Sequence, residues 1–333
     1  MRRRRRQAAT TTSFECQVLE DRALLSATLE DGVLTIQGTA EDDVIRVRTS
    51  RRTESPNLIV RVNDQHWNFP ASDVTGIVVN ADAGNDDVRF GKRVRVGASV
   101  DGGDGNDKIL GTRSGDTLIG GAGRDTLVGG PGNDVMNGGD DGDRMHGGVG
   151  TDTMNGGGGN DRMAGHRGAD VMFGGEDNDF MDGGRGDDVM AGENGDDVMR
   201  GNAGDDDMSG GAGNDHMGAG SGSNMLFGEE GDDTLGGNSD NDILDGGPGE
   251  NTIHDRGRRG GGGGNFEAIK RARRIFRRVD ANRDRVLTED EVGEDRFAEL
   301  LEFDADESGD IVFREFFEWF REKTGRGGGD GGE

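Results

Sequence analysis

Aspartate returns at every ninth residue through the middle of this 333-residue chain: Asp107, Asp116, Asp125, Asp134, Asp143, Asp152, Asp161, Asp170, Asp179, Asp188, Asp197, Asp206, Asp215, Asp233 and Asp242. Carboxylates set among glycines at fixed spacing offer hard oxygen donors to a cation of the calcium type. The single cysteine, Cys16, excludes an internal disulfide framework. No CxxC or Cys/His cluster provides a zinc site. A formal net charge of -28 pushes a compact state apart unless cations sit among the carboxylates or the chain stays disordered.

The elements that position these carboxylates come from a nine-residue unit, GGxGxDxUx with U apolar, whose register never slips from Gly102 to His254 over 17 units. Glycine at the first, second and fourth positions allows a tight six-residue turn, and the last three residues form a short strand. In that strand the eighth residue points inward and its two neighbours outward. The eighth position is Ile109, Leu118 and Leu127, then Met in ten consecutive units from Met136 to Met217, then Leu226, Leu235, Leu244 and Ile253. A thioether row suggests a soft-metal site. The interior placement favours core packing, where flexible Met fills irregular gaps.

These units resemble the calcium-binding nonapeptide repeats of the RTX, or hemolysin-type, family. The resemblance implies a parallel β-roll with two units per turn, each calcium held between loops by backbone carbonyls and by aspartates two units apart, such as Asp107 with Asp125 and Asp116 with Asp134. About 8.5 turns at about 4.8 Å per strand would make a rod on the order of 40 Å long. Stacked carboxylates repel by several kcal/mol per neighbour at an effective dielectric of about 20, and calcium reverses that sign. With 65 glycines and 30% hydrophobic residues, the chain has little apolar area to offset its entropy, so the array is expected to be disordered without calcium. Asn224 and Asn251 replace the aspartate in two units and should weaken their sites.

A second oxygen pattern follows a glycine-rich linker. Phe266, Ile269, Ala272, Phe276 and Val279 recur at helical spacing. Asp280, Asn282, Asp284, the Val286 carbonyl and Glu291 then occupy positions 1, 3, 5, 7 and 12 of a loop. Asp304, Asp306, Ser308, Asp310 and Glu315 repeat the plan 24 residues later. This resembles a pair of EF-hand calcium loops. The second loop supplies Gly309 at the sharp turn, where the first carries Arg285 at a cost of about 1 kcal/mol.

The expected fold is mainly β: a parallel β-roll (RTX solenoid) over 102–254, preceded by a short-strand β cap over 29–101 and followed, after a linker at 255–265, by a small α-helical EF-hand pair at 266–324 and a tail at 325–333. The cap is read from Val33–Gln37, Val44–Val47, Leu58–Val62 and Ile77–Val79, with Trp67 and Phe69 expected to be buried against the first units. Residues 1–28 form a basic leader whose LEDRALLSA stretch resembles a motif following an Arg-rich start in some bacterial surface and secreted proteins. The chain has no apolar run of about 18 residues to span a membrane, and so acidic a body disfavours nucleic acid. No HExxH, GxSxG, phosphate loop or Cys/His pair is present, so no enzyme is expected. The expected function is calcium binding by a secreted or cell-surface protein whose array folds on the ion, in a structural or adhesive role toward a cell-surface glycan or matrix. The alternative is a calcium-responsive export and folding module, or a sensor working through the EF-hand pair.

Overall fold

A computed structural model describes residues 25–50, 56–238 and 242–255, together with two short strands further on. The chain opens with β1 (Ser26–Glu30), β2 (Val33–Gln37), β3 (Val44–Thr49), β4 (Asn57–Val62) and β5 (Gln65–Pro70), followed by one 3-10 turn at Ala71–Asp73. Then come β6 (Gly76–Asn80), β7 (Asp87–Phe90), β8 (Ala98–Asp104), β9 (Lys108–Leu110), β10 (Thr117–Ala122) and β11 (Thr126–Pro131). The repeats continue as β12 (Val135–Asp140), β13 (Arg144–Val149), β14 (Thr153–Gly158), β15 (Arg162–Arg167), β16 (Val171–Glu176), β17 (Phe180–Arg185) and β18 (Val189–Asn194). The array ends with β19 (Val198–Ala203), β20 (Asp207–Ala212), β21 (His216–Ser221), β22 (Met225–Glu230), β23 (Thr234–Gly237), β24 (Ile243–Asp245) and β25 (Thr252–Asp255). The separate pair is β26 (Val286–Leu287) and β27 (Ile311–Val312).

Successive strands of the array alternate between two sheets, so the chain winds as a parallel β-solenoid of stacked coils. One sheet runs β1-β2-β6-β8-β10 and on through the even strands to β24; the other runs β25-β23-β21 down the odd strands to β7-β3-β4-β5. Each repeat strand pairs with the strand two units on, as Leu118 with Met136 and Met136 with Met154. Among the described residues there is no α-helix. The EF-hand helices expected at 266–324 lie outside them, as do residues 1–24 of the leader read at 1–28; Ser26, Ala27 and Thr28, assigned to that leader, instead open β1.

The repeat alternation makes the core. Ile109, Leu118, Leu127, every Met from Met136 to Met217 at the eighth position, Leu226, Leu235 and Leu244 are buried between the sheets. Ile253 departs from the expectation: it is 44% exposed, on β25, the terminal strand of its sheet among the described residues.

Upstream, the strands read at 33–37, 44–47, 58–62 and 77–79 form. They do not make a separate layer across the roll's end. β2 and β6, and β3 and β7, join the same two sheets in parallel. The antiparallel pairs β1–β2 and β3–β4–β5 then finish each sheet. Trp67 and Phe69 sit on β5, the last strand of that sheet, half-buried against the core there rather than against the first units.

Candidate metal centre

The aspartates of the array stand where one strand turns into the next, and each is almost wholly removed from water. Their first carboxylate oxygens form a ladder. The Asp107 N–H donates to Asp125 Oδ1, Asp125 N–H to Asp143 Oδ1, and Asp143 N–H to Asp161 Oδ1. On the opposite edge Asp116 N–H donates to Asp134 Oδ1 and Asp134 N–H to Asp152 Oδ1. The ladders continue through Asp179, Asp197 and Asp215 to Asp233, and through Asp170 and Asp188 to Asp206. Residues two units apart are thereby joined.

The second oxygens have no such partner. Oδ2 of Asp86, Asp107, Asp125, Asp134, Asp143, Asp152, Asp161, Asp170, Asp179, Asp188, Asp197, Asp215 and Asp233 is buried without a hydrogen bond. An ionised carboxylate left this way costs several kcal/mol unless a proton or a cation meets it. The carboxyls respond accordingly. Burial, assisted by neighbouring carboxylates and opposed by the donated backbone N–H, pushes Asp125, Asp152, Asp161, Asp188 and Asp215 up to about 7 and Asp179 to about 8. Asp134, Asp143 and Asp197 rise to about 6 for the same leading reason.

The first-position glycines keep these oxygens open. A Cβ on Gly120 would meet Asp125 Oδ2 and the Gly138 carbonyl, and one on Gly156 would meet Asp161 Oδ2 and the Gly174 carbonyl. Expected to turn the chain, this glycine has a φ outside the left-handed region, and its purpose is room beside the carboxylate. Glycines at the second and fourth positions do turn, as at Gly121 with φ 115 and Gly123 with φ 114.

Among the described residues, no three His, Cys, Asp or Glu side chains converge as a metal cluster. A cation here must therefore draw most of its ligands from backbone carbonyls, which, with the orphaned Oδ2 atoms, make an all-oxygen donor set suited to calcium. Calcium would supply the positive charge that the buried carboxylates lack. The residues fit the ion.

Two expected ligands behave differently. Asp116 Oδ2 accepts the Thr112 N–H at 2.6 Å, and Asp242 Oδ2 accepts the Asn238 N–H at 2.8 Å. Thr112 and Asn238 replace the second-position glycine, and their N–H groups turn onto the carboxylate, so these two sites are satisfied internally. Conversely, Asp86, outside the array's nine-residue register, presents an open carboxylate. Its unit, ADAGNDDVR from Ala81, carries Asp in the sixth place, and its Oδ2 is orphaned like the others. Asp43 extends the ladder by another step, in the unit GTAEDDVIR, its N–H donating to Asp86 Oδ1. Asn63 and Thr39 satisfy its own carboxylate. The loop residues Asp280, Asn282, Asp284, Glu291, Asp304, Asp306, Ser308, Asp310 and Glu315 lie outside the described residues. Only Val286, on β26, falls within them.

The fold and site thus define a β-solenoid with rows of cation-ready carboxylates along both edges. Residues 101–253 match the family model of the RTX calcium-binding nonapeptide repeat, in the overlapping windows 101–136, 110–145, 119–154, 146–181, 155–190, 182–217 and 218–253. These repeats imply calcium binding. No curated protein matches the chain.

Proposed function

We propose that this chain is a secreted or cell-surface calcium-binding protein, without catalytic activity, whose array folds when calcium enters the aspartate rows and then serves as a rigid structural or adhesive rod. The row of buried, unpartnered Oδ2 atoms carries the reading: an acidic interior of this kind is stable only when the charge is met. An external location supplies the millimolar calcium that such sites use, and RTX repeats are typical of secreted proteins. A cell-surface glycan or matrix is the partner class to screen. Calcium titration by calorimetry with parallel far-UV circular dichroism tests the folding claim. The expected result is binding and β-sheet gain as one event; a folded spectrum retained after thorough chelation at neutral pH would sink it. Fractionation of the producing cells tests the location.

A second reading rests on a separate observation. β26 and β27 pair antiparallel with Leu287 opposite Ile311. These residues follow directly on the seventh positions of the two loops read at 280–291 and 304–315, which is the register expected if the loops face one another as an EF-hand pair. That supports a C-terminal calcium module, with Asp304 to Glu315 the stronger site, acting as a sensor or as an aid to folding after export. Glu315→Gln should remove one calcium from the titration while leaving the array's transition in place.

A further inference from the structure

Two of the chain's five histidines meet on the outer face of the odd-strand sheet. His146 is the ninth residue of its unit and lies on β13; His166 is the second residue of its unit and lies on β15, the next strand of that sheet. Both are exposed. Their rings stack at 22° with centroids 5.5 Å apart, and His166 Nε2 lies 3.3 Å from His146 Nδ1.

The repeat itself makes this meeting. A side chain at the second position reaches back across the ladder to the ninth-position side chain of the neighbouring strand, as Asn202 on β19 does when its Nδ2 donates to Asp182 Oδ1 on β17 at 2.7 Å. In most units the second position is glycine, so nothing makes that reach. His166 instead holds a φ of 74, a left-handed conformation unfavourable for any residue with a Cβ. The fold accepts that local strain and sets two imidazoles side by side.

The separation of the two nitrogens suits one shared ion. Zinc binds imidazole nitrogen at about 2.0–2.1 Å, and two such bonds at the tetrahedral angle place the nitrogens about 3.3 Å apart. A hydrogen bond between the rings would favour about 2.9–3.0 Å. Burial, together with the neighbouring His166 ring, lowers the pKa of His146 and so favours its neutral, ligating form. Imidazole nitrogen suits zinc and the transition metals near it, whereas calcium takes oxygen. Arg144, Arg162 and Arg167 stand on the same two strands and oppose a cation at a distance. All three are exposed, so solvent screens them, and the neutral nitrogens hold an ion by coordination rather than by charge.

We propose that His146 and His166 form a two-histidine zinc site on the outside of the roll, separate from the calcium rows along its edges. Among the described residues no third His, Cys, Asp or Glu joins them, so two of the four tetrahedral positions stay open to water or an external donor. The ion is therefore exchangeable, and it ties two adjacent coils together.

The test uses the full chain saturated with calcium, so that the array is folded and its carboxylates are occupied. Calorimetric titration with zinc should show one ion that added calcium does not displace, and X-ray absorption should find two imidazole nitrogens and two oxygen donors around it. His146→Gln and His166→Gly should each lose this ion. His166→Gly restores the glycine that most units carry, so it should keep the array's calcium stoichiometry and melting temperature. His216→Gln, which removes the exposed histidine of β21, should leave zinc uptake unchanged. Zinc uptake that survives His146→Gln and His166→Gly, or that calcium displaces, overturns the proposal in favour of binding at carboxylates. A native chain that takes up no zinc overturns it outright.

Discussion

A single side chain decides whether a unit presents an open carboxylate. Where the second position takes the left-handed turn, as Gly121 does and as His166, Glu193 and Glu229 do without being glycine, the sixth-position Oδ2 is left without a donor. Thr112 does not follow that path; its N–H and Oγ1 both turn onto the Asp116 carboxylate, at 2.6 and 2.8 Å. The neutralising role of a cation is taken there by two hydrogen bonds. Thr112→Gly should therefore raise calcium stoichiometry by one ion in calorimetric titration, at the cost of a less stable metal-free state. The reverse experiment acts at the first position. Gly120→Ala places a methyl against Asp125 Oδ2 and the Gly138 carbonyl, and overpacking of this kind costs about 1–3 kcal/mol. It should lower the melting temperature in calcium and remove one ion from the stoichiometry. An unchanged stoichiometry would mean that the ion does not use this opening.

At the scale of the coil, the two edges differ. One row runs unbroken from Asp86 to Asp233 and ends at Asn251, whereas the other is interrupted near its end by Asn224. That same unit has Ala219, buried, in place of the first-position glycine. Asn224 Nδ2 donates to Asp242 Oδ1 at 3.1 Å, so an amide proton stands where the other units call for a cation. Restoring both features with Ala219→Gly/Asn224→Asp should add one ion, and neither change alone should suffice. Much of this was legible beforehand. The period set the repeating unit, the eighth-position residues marked the core, and the resemblance to the RTX repeats implied the coil and the pairing of aspartates two units apart. What escaped has physical reasons. Asp43 was hidden, and Asp86 was not assigned although its unit ADAGNDDVR from Ala81 reads as a degenerate copy, because the units at Gly38, Ala81 and Gly102 are spaced by inserted strands rather than by nine residues, so a fixed period stops short of them. Thr112 and Asn238 were hidden because closing a carboxylate with the chain's own N–H depends on a turn conformation that composition does not state.

Across the whole molecule, stability is divided along the rod. The first coils have an aliphatic core of Leu34, Ile36, Ile45, Val47, Val60, Val62, Ile77, Val79 and Val88 and a satisfied carboxylate at Asp43, while the coils from β12 to β21 rest on methionine and carry an orphaned carboxylate at nearly every turn. Amide exchange in chelated full-length protein at pH 7 should accordingly keep some protection within 33–90 and lose it through 135–221, as expected for coils that depend mainly on their neighbours. The same carboxyls set the pH response. The folded pKa values of Asp125, Asp134, Asp179 and Asp215, about 6 to 8, lie above the ordinary value of about 3.9 for an unfolded aspartate. Between those values the folded state binds more protons than the unfolded one, so the metal-free fold loses stability as pH rises from about 4 toward 8. Protons and calcium therefore substitute for one another. Circular dichroism of calcium-free protein should show more β-structure at pH 4.5 than at pH 8, calcium affinity should weaken as pH falls into the range where the calcium-free fold holds its protons, and binding should release protons at about pH 5, where that protonated fold is displaced, but not at pH 8, where the disordered chain is already ionised, visible as a dependence of the calorimetric heat on the buffer's ionisation enthalpy at the lower pH only. A calcium-free spectrum identical at both pH values, with no buffer dependence, would show that the buried carboxylates do not govern folding of the array.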